Sequence, residues 1–218
     1  MAERRLIAWD LPTRLFHWSL VGLLAFSWWS AENHALEWHL WSGLTVLGLL
    51  TFRLLWGLFG SDTARFSHFV KGPRAVVRYL RGAERNPSVG HNPLGGWSVI
   101  ALLLVLLMQV STGLVAVDVD GIDSGPLSYL LDFDQSRVAA EIHEWSFNIL
   151  LGLSALHVAA ILFYVAAKRR NLLWPMITGS VPAGDDETGA RPAPAWRVLV
   201  AAAVASALAY GASTGFRL

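Results

Sequence analysis

His143 and His157 stand fourteen residues apart in EIHEWSFNILLGLSALHVAAILFYV, a stretch that is otherwise almost wholly apolar. At about 100° per residue, fourteen positions are four turns less about 40°, so on a helix both imidazoles leave nearly the same face. The helical rise sets them about 21 Å apart, most of the thickness of a bilayer's hydrocarbon core. An imidazole inside a membrane is costly unless it binds something, and its ring nitrogens are good metal ligands. The competing reading is two core histidines satisfied by neighbouring carbonyls.

Elements that could position such residues must be membrane spans. The chain has 218 residues, of which 54% are hydrophobic and 15% charged. A soluble domain carries nearer a quarter charged residues. With no cysteine, disulfides, thiolate metal sites, iron–sulfur clusters and covalent c-type haem are excluded. Net charge is +1, and nothing points to a nucleic-acid partner. Trp9, Asp10, Pro12 and Arg14 precede the first apolar run, so no cleavable leader is expected and the first helix should stay as an anchor.

Five apolar stretches are expected to be helical, at Arg14–Trp29, Trp38–Phe59, Trp97–Val117, Ala139–Ala167 and Arg197–Ser213. The first and last are short for a crossing, and the alanine-rich fifth also reads as a surface helix or loose tail. Arg4, Arg5 and Arg14 precede the first stretch, and Arg65, Lys71, Arg74, Arg78, Arg81 and Arg85 fill the 60–96 loop. Lys168, Arg169 and Arg170 follow the fourth stretch, with Arg191 and Arg197 before the fifth. The 118–134 loop instead carries Asp118, Asp120, Asp123, Asp132 and Asp134. The positive-inside rule therefore places the N-terminus and the 60–96 loop in the cytoplasm. The expected fold is all-α and integral to the membrane: a four-helix transmembrane bundle over 1–178, a linker at 179–195, and a fifth transmembrane helix at 196–218. Within the basic loop, KGPRAVVRYLRG reads as a short helix after Pro73 lying on the membrane lipid, or less simply as a dock for a partner subunit.

Orientation gives each histidine a depth. His17 opens the first span at the cytoplasmic side, level with His157, and His39 opens the second at the outer side, level with His143. Two coincidences of depth make two facing pairs, and bis-imidazole pairs across a helical bundle are how b-type haem is held. Two haems b are therefore expected, an inner one on His17 and His157 and an outer one on His39 and His143. Zinc is a poor alternative, since two ligands per level do not close a tetrahedral site. Arg53 lies fourteen residues after His39, on the same face and at the level of His157. It reads equally as the partner of an inner-haem propionate or as an arginine snorkelling to headgroups. Gly43, Gly48, Gly113 and Gly152 suit either a flat macrocycle or close helix contact. His34, before the second apolar run, competes with His39. His68 and His91 read as solvated loop residues, and Glu144 points away from His143 on the helix.

AWDLPTRLFHWSL, HLWSGLTVLGLLTFRLLWGLFG, FVKGPRAVVRYLRG, GHNPLGGWSV and HEWSFNILLGLSALHV together resemble the Ni/Fe-hydrogenase b-type cytochrome and bacterial cytochrome b561 family. The likeness covers about residues 6–180. It implies a four-helix di-haem core moving electrons between the quinone pool and a redox partner, and it implies the same four haem ligands. Similar gamma subunits of formate dehydrogenases line a quinone pocket with an Asn-and-Gly stretch at the start of the third helix. By that likeness Asn92 and Gly95 are quinone-site candidates. The same residues also suit a simple helix-start turn.

The expected function is electron transfer across the membrane between quinone or quinol and a periplasmic c-type cytochrome or oxidoreductase subunit, with a homodimer possible. One alternative is a stand-alone oxidoreductase of the superoxide:quinone type. Another is a non-redox, proton-linked transporter or scaffold.

Overall fold

The apolar stretches fold as long helices whose ends fall at the polar and Pro/Gly punctuation around them. The structure is a computed structural model that describes residues 5–82, 90–182 and 191–217, so Arg4, Arg85 and positions 183–190 of the expected linker lie outside the described residues. In chain order the elements are β1 (Arg5–Ile7), α1 (Leu11–Glu32), α2 (Leu36–Phe59), α3 (Phe66–Phe69), α4 (Pro73–Leu80), α5 (Pro93–Val115), α6 (Phe133–Ala166), α7 (Leu173–Thr178), β2 (Ser180–Pro182) and α8 (Ala195–Ser213). A single 3₁₀ turn at Ser128–Leu130 precedes α6. Among the described residues, α2, α5, α6 and α8 are long and apolar enough to cross a membrane. The first helix, which carries Arg14 and Glu32, is not among them.

The all-α expectation needs one correction. Residues of β1 and β2 pair antiparallel, with Leu6 opposite Val181. Strands of three residues are too short to show an alternating pattern, and each exists because of a partner far away in sequence.

Contacts divide the chain into two units. The first comprises residues 1–16, 53–101 and 155–199. Its hub is Asp10. One carboxylate oxygen caps α1 by accepting the Thr13 N–H at 2.8 Å, and the other accepts the Trp56 indole N–H at 2.9 Å and the Ser61 hydroxyl at 2.5 Å. The indole is almost fully buried, so a donor of this size needs that acceptor. Gly179, with φ of +87°, ends α7 in the left-handed region. Its carbonyl accepts the N–H groups of Ala8 and Trp9, and a Cβ there would stand 2.9 Å from the Trp9 carbonyl oxygen. Arg197 on α8 donates to the Phe59 carbonyl at 2.8 Å, tying off the end of α2. The α4 helix buries no residue, and Val77 and Leu80 are exposed.

The second unit comprises residues 17–52, 102–154 and 200–218. Leu44, Val46, Leu50, Leu106 and Leu150 form its core, joined by Ala201, Ala205 and Ala212 of α8. A Cβ on Gly48 would lie 3.6 Å from the Ala209 Cβ and 3.8 Å from the Ala205 carbonyl oxygen. Small residues thus let α2 and α8 approach closely, and this part of the C-terminal helix is packed against its neighbour. Large apolar side chains on α6, among them Leu151, Leu156 and Leu162, are exposed, a surface that lipid tolerates and water does not. Thr45, Thr51 and Thr112 return their hydroxyls to carbonyls four residues back, so they add no unsatisfied polar group. The Tyr129 hydroxyl donates to the Gly215 carbonyl at 2.6 Å, fastening the turn before α6 to the end of the chain.

Candidate functional site

His39 on α2 and His143 on α6 face one another in the second unit, with ring centroids 6.0 Å apart and planes at 85°. Each Nδ1–H meets a main-chain carbonyl: His39 donates to Ser27 of α1 at 2.9 Å, and His143 donates to Gln109 of α5 at 2.8 Å. A proton fixed on Nδ1 leaves Nε2 of both rings unprotonated; that of His143 accepts from the Gln109 side-chain amide at 3.0 Å, a contact that a metal at this nitrogen would replace. The two imidazoles would hold the iron of a b-type haem, which would supply one-electron chemistry between them.

Both rings line a cavity of about 290 Å³ walled mainly by apolar side chains, including Val46, Leu106, Val110 and Phe147. Gly43 lines it too, and a Cβ there would meet nothing within 4 Å. Gly113 plays a different part: a Cβ on it would fall 2.7 Å from Cε1 of His143, so the imidazole lies on bare backbone. Glu144 is exposed and also borders this cavity. Two carbonyl-held imidazoles lining a largely apolar cavity fit a b-type haem.

The remaining two ligand candidates fall in different units. His17, half-buried on α1, belongs to the second unit and stands edge-on to Trp18, with centroids 5.0 Å apart. His157, half-buried on α6, belongs to the first. His34 is exposed with φ of +53° in the turn between α1 and α2, and His68 is exposed.

In the first unit Arg53 is 3% exposed. It donates to the Ala64 carbonyl at 3.2 Å, and its guanidinium lies 5.0 Å over the Phe66 ring and 5.9 Å over Phe69. Those contacts hold it inside the protein. Asn92 accepts the Gly95 N–H on its side-chain oxygen at 2.7 Å, which makes it the cap of α5 with Pro93 in the first helical position. Its amide N–H donates to the Tyr164 hydroxyl at 3.0 Å, and that hydroxyl meets the Tyr79 hydroxyl at 2.5 Å. A Cβ on Gly95 would crowd the Asn92 oxygen at 3.2 Å. The helix-start geometry is therefore present at GHNPLGGW, and it leaves a side-chain network reaching beyond the cap.

His91 corrects the expectation of a solvated loop residue. Its ring packs at 4.5 Å on both Trp9 and Phe69, and its buried Nδ1 has no hydrogen-bond partner among the described residues. Burial, and then the charges of Arg53 and His157, push its pKa down to about 3, so the ring is neutral.

A family profile described as prokaryotic cytochrome b561 matches residues 8–179. The chain belongs to the prokaryotic cytochrome b561 family. No curated protein and no solved structure matches it. It is accordingly a multi-pass membrane cytochrome that binds b-type haem and works in electron transfer. The α8 helix lies beyond the stretch that matches the family.

Several residues of this cytochrome's cavity escaped sequence reasoning. The carbonyl of Ser27 has no side-chain signature at all. Gln109 does: it is the one amide in the apolar run of α5. Its Nε2 lies 3.0 Å from Nε2 of His143, and its side-chain oxygen accepts the hydroxyl of the buried Ser146. A lone amide in a span, like a lone histidine, calls for a partner.

Proposed function

We propose that this cytochrome carries electrons across a bacterial inner membrane through two haems b, between the quinone pool and a redox partner at the outer face. The partner is a periplasmic c-type cytochrome or an oxidoreductase subunit. His39 and His143 hold the outer haem, and His17 and His157 hold the inner one. The observation that carries the reading is the His39–His143 pair, facing at 6.0 Å with both Nδ1 atoms tied to carbonyls. The inner pair rests on matched depth along the spans.

The chain crosses five times with its N-terminus in the cytoplasm, in keeping with the basic 60–96 loop and the acidic 118–134 loop. Residues 1–178 form the di-haem core, 179–195 a linker, and 196–218 a further transmembrane helix. Haem supplies one-electron iron chemistry at each level. The protein's own part is to fix two imidazole tautomers, to keep water from the apolar cavity, and to place positive charge. Arg53, buried in the membrane, offsets a propionate of the inner haem. Quinone exchanges at the start of α5, beside Asn92 and Gly95.

Haem stoichiometry tests this directly. Purified protein is expected to hold two low-spin haems with bis-imidazole spectra. His39→Ala or His143→Ala should remove the outer haem, and His17→Ala or His157→Ala the inner one. One haem, lost equally on all four substitutions, would overturn the pairing.

A further inference from the structure

The hydroxyls of Tyr79 and Tyr164 meet at 2.5 Å, joining α4 to α6, and Asn92 joins them both to the start of α5. Tyr164 is 85 positions from Tyr79 and 72 from Asn92 in sequence. None belongs to a haem-ligand pair. Tyr164 lies seven residues after His157 on α6, two helical turns less about 20°, so it shares the face of that ligand and sits about 10.5 Å further along. Tyr79 belongs to the helix that buries no residue, and both phenols are half-buried. A polar line thus runs from the cap of α5, past the face of α6 that carries His157, to a surface helix.

The hydrogen-bond roles in this line are not symmetrical. The Asn92 amide N–H occupies one lone pair of the Tyr164 oxygen. The Tyr164 proton is then free to point at Tyr79, or Tyr79 can donate to the second lone pair of Tyr164, since either oxygen can be the donor. Two arrangements of nearly equal bonding are what a proton hop requires. We propose that Tyr164 and Tyr79 form a proton relay between quinone bound beside Asn92 and the surface at α4.

This rests on the quinone reading above. A quinol oxidised there releases two electrons and two protons. Each electron leaves singly to haem iron. Each proton passes to the Tyr164 oxygen as the Tyr164 hydroxyl proton moves to Tyr79 and the Tyr79 proton moves to water, so both phenols end neutral. Rotation of the two hydroxyls resets the line, and quinone reduction runs it backwards. Burial, reinforced by the bond to Tyr164, pushes the Tyr79 pKa up to about 12, which keeps the phenol protonated between transfers.

The test is stopped-flow reduction of the haems by decylubiquinol in Tyr79→Phe and Tyr164→Phe proteins, in H₂O and D₂O. Phenylalanine keeps the ring and removes only the hydroxyl. The expected result is a saturating rate at least about tenfold lower, still below the full worth of a positioned proton donor. The half-saturating quinol concentration should stay within about twofold, the solvent isotope effect should rise, and dithionite-reduced spectra and haem content should match the unaltered protein. A Tyr79→Phe protein with unchanged rate and isotope effect, while the unaltered protein is reduced by quinol, would overturn the relay alone. An unaltered protein that decylubiquinol does not reduce would overturn the quinone reading and the relay together. Loss of haem in Tyr164→Phe with normal kinetics in Tyr79→Phe would make the pair a structural tie and end the proposal.

Discussion

In the unit formed by residues 17–52, 102–154 and 200–218, His39 and His143 each donate to a main-chain carbonyl, whereas in the other unit Asn92, Tyr164 and Tyr79 are joined side chain to side chain. A carbonyl inside a helix has no rotation of its own, and it fixes both the plane and the tautomer of the ring that donates to it. A hydroxyl rotates and exchanges the roles of donor and acceptor. The first arrangement suits a group that stays for the life of the protein. The second suits a ligand and protons that come and go.

The contrast breaks most sharply at Gly113. A Cβ there would stand 2.7 Å from the His143 imidazole, so Gly113→Val should displace the ring and lose the outer haem without touching a ligand. Gly152→Ala, where nothing lies within 4 Å, should keep both haems. Equal haem content in the two variants would show that His143 does not need its bare-backbone bed.

Asp10→Ala should act on the other unit. It removes the shared acceptor of Trp56 and Ser61 and the cap of Thr13, at a cost of about 2–4 kcal/mol. Thermal unfolding in detergent should fall accordingly while the outer-haem spectrum holds. Asp10→Asn, which keeps an acceptor, should lose less. A fall in outer-haem content equal to that in stability would erase the distinction between the units.

A smaller effect is expected from Arg53→Leu. Loss of a cation disfavours the added electron, so the inner-haem potential should drop by on the order of 50 mV, from Coulomb's law at an effective dielectric near 20. Redox titration should show the outer haem moving much less. Lower stability with neither potential changed would leave Arg53 as the anchor of the Ala64 carbonyl and the Phe66 ring. The smallest shift belongs to Asn92→Ala, which removes the α5 cap and should cost about 1 kcal/mol in the same melting assay. No change there would mean that the Gly95 N–H finds another acceptor.

Long periodic features were legible in the sequence. The helices at Leu36–Phe59 and Ala195–Ser213 lie within two residues of the stretches expected at 38–59 and 197–213, and α4 starts at the expected Pro73. The pairing of His39 with His143 by depth needs only helical rise and orientation, and the structure sets their ring centroids 6.0 Å apart. What stayed hidden was short or made of backbone. The strands at Arg5–Ile7 and Ser180–Pro182 carry no alternation, and the Ser27 and Gln109 carbonyls that orient the imidazoles belong to residue types a carbonyl does not need. The packing of His91 is not legible in the sequence because its surroundings, Trp9 and Phe69, come from distant positions.

The pairing of Leu6 with Val181, 175 positions later, sets an order on the birth of the protein. At ~5–20 residues per second, ribosomal synthesis separates those partners by roughly 10–35 s. Through that interval β1 must wait with its backbone groups served by water or headgroups, while residues 17–52 and 102–154 are already made. The cavity shared by His39 and His143 can therefore take shape before the clasp on β1 closes, and haem supplied early in synthesis meets the outer site first. A pause in translation after residue 154 would lengthen that window, and depriving cells of haem during it should leave chains in which β1 and β2 are paired while the His39–His143 cavity holds no haem.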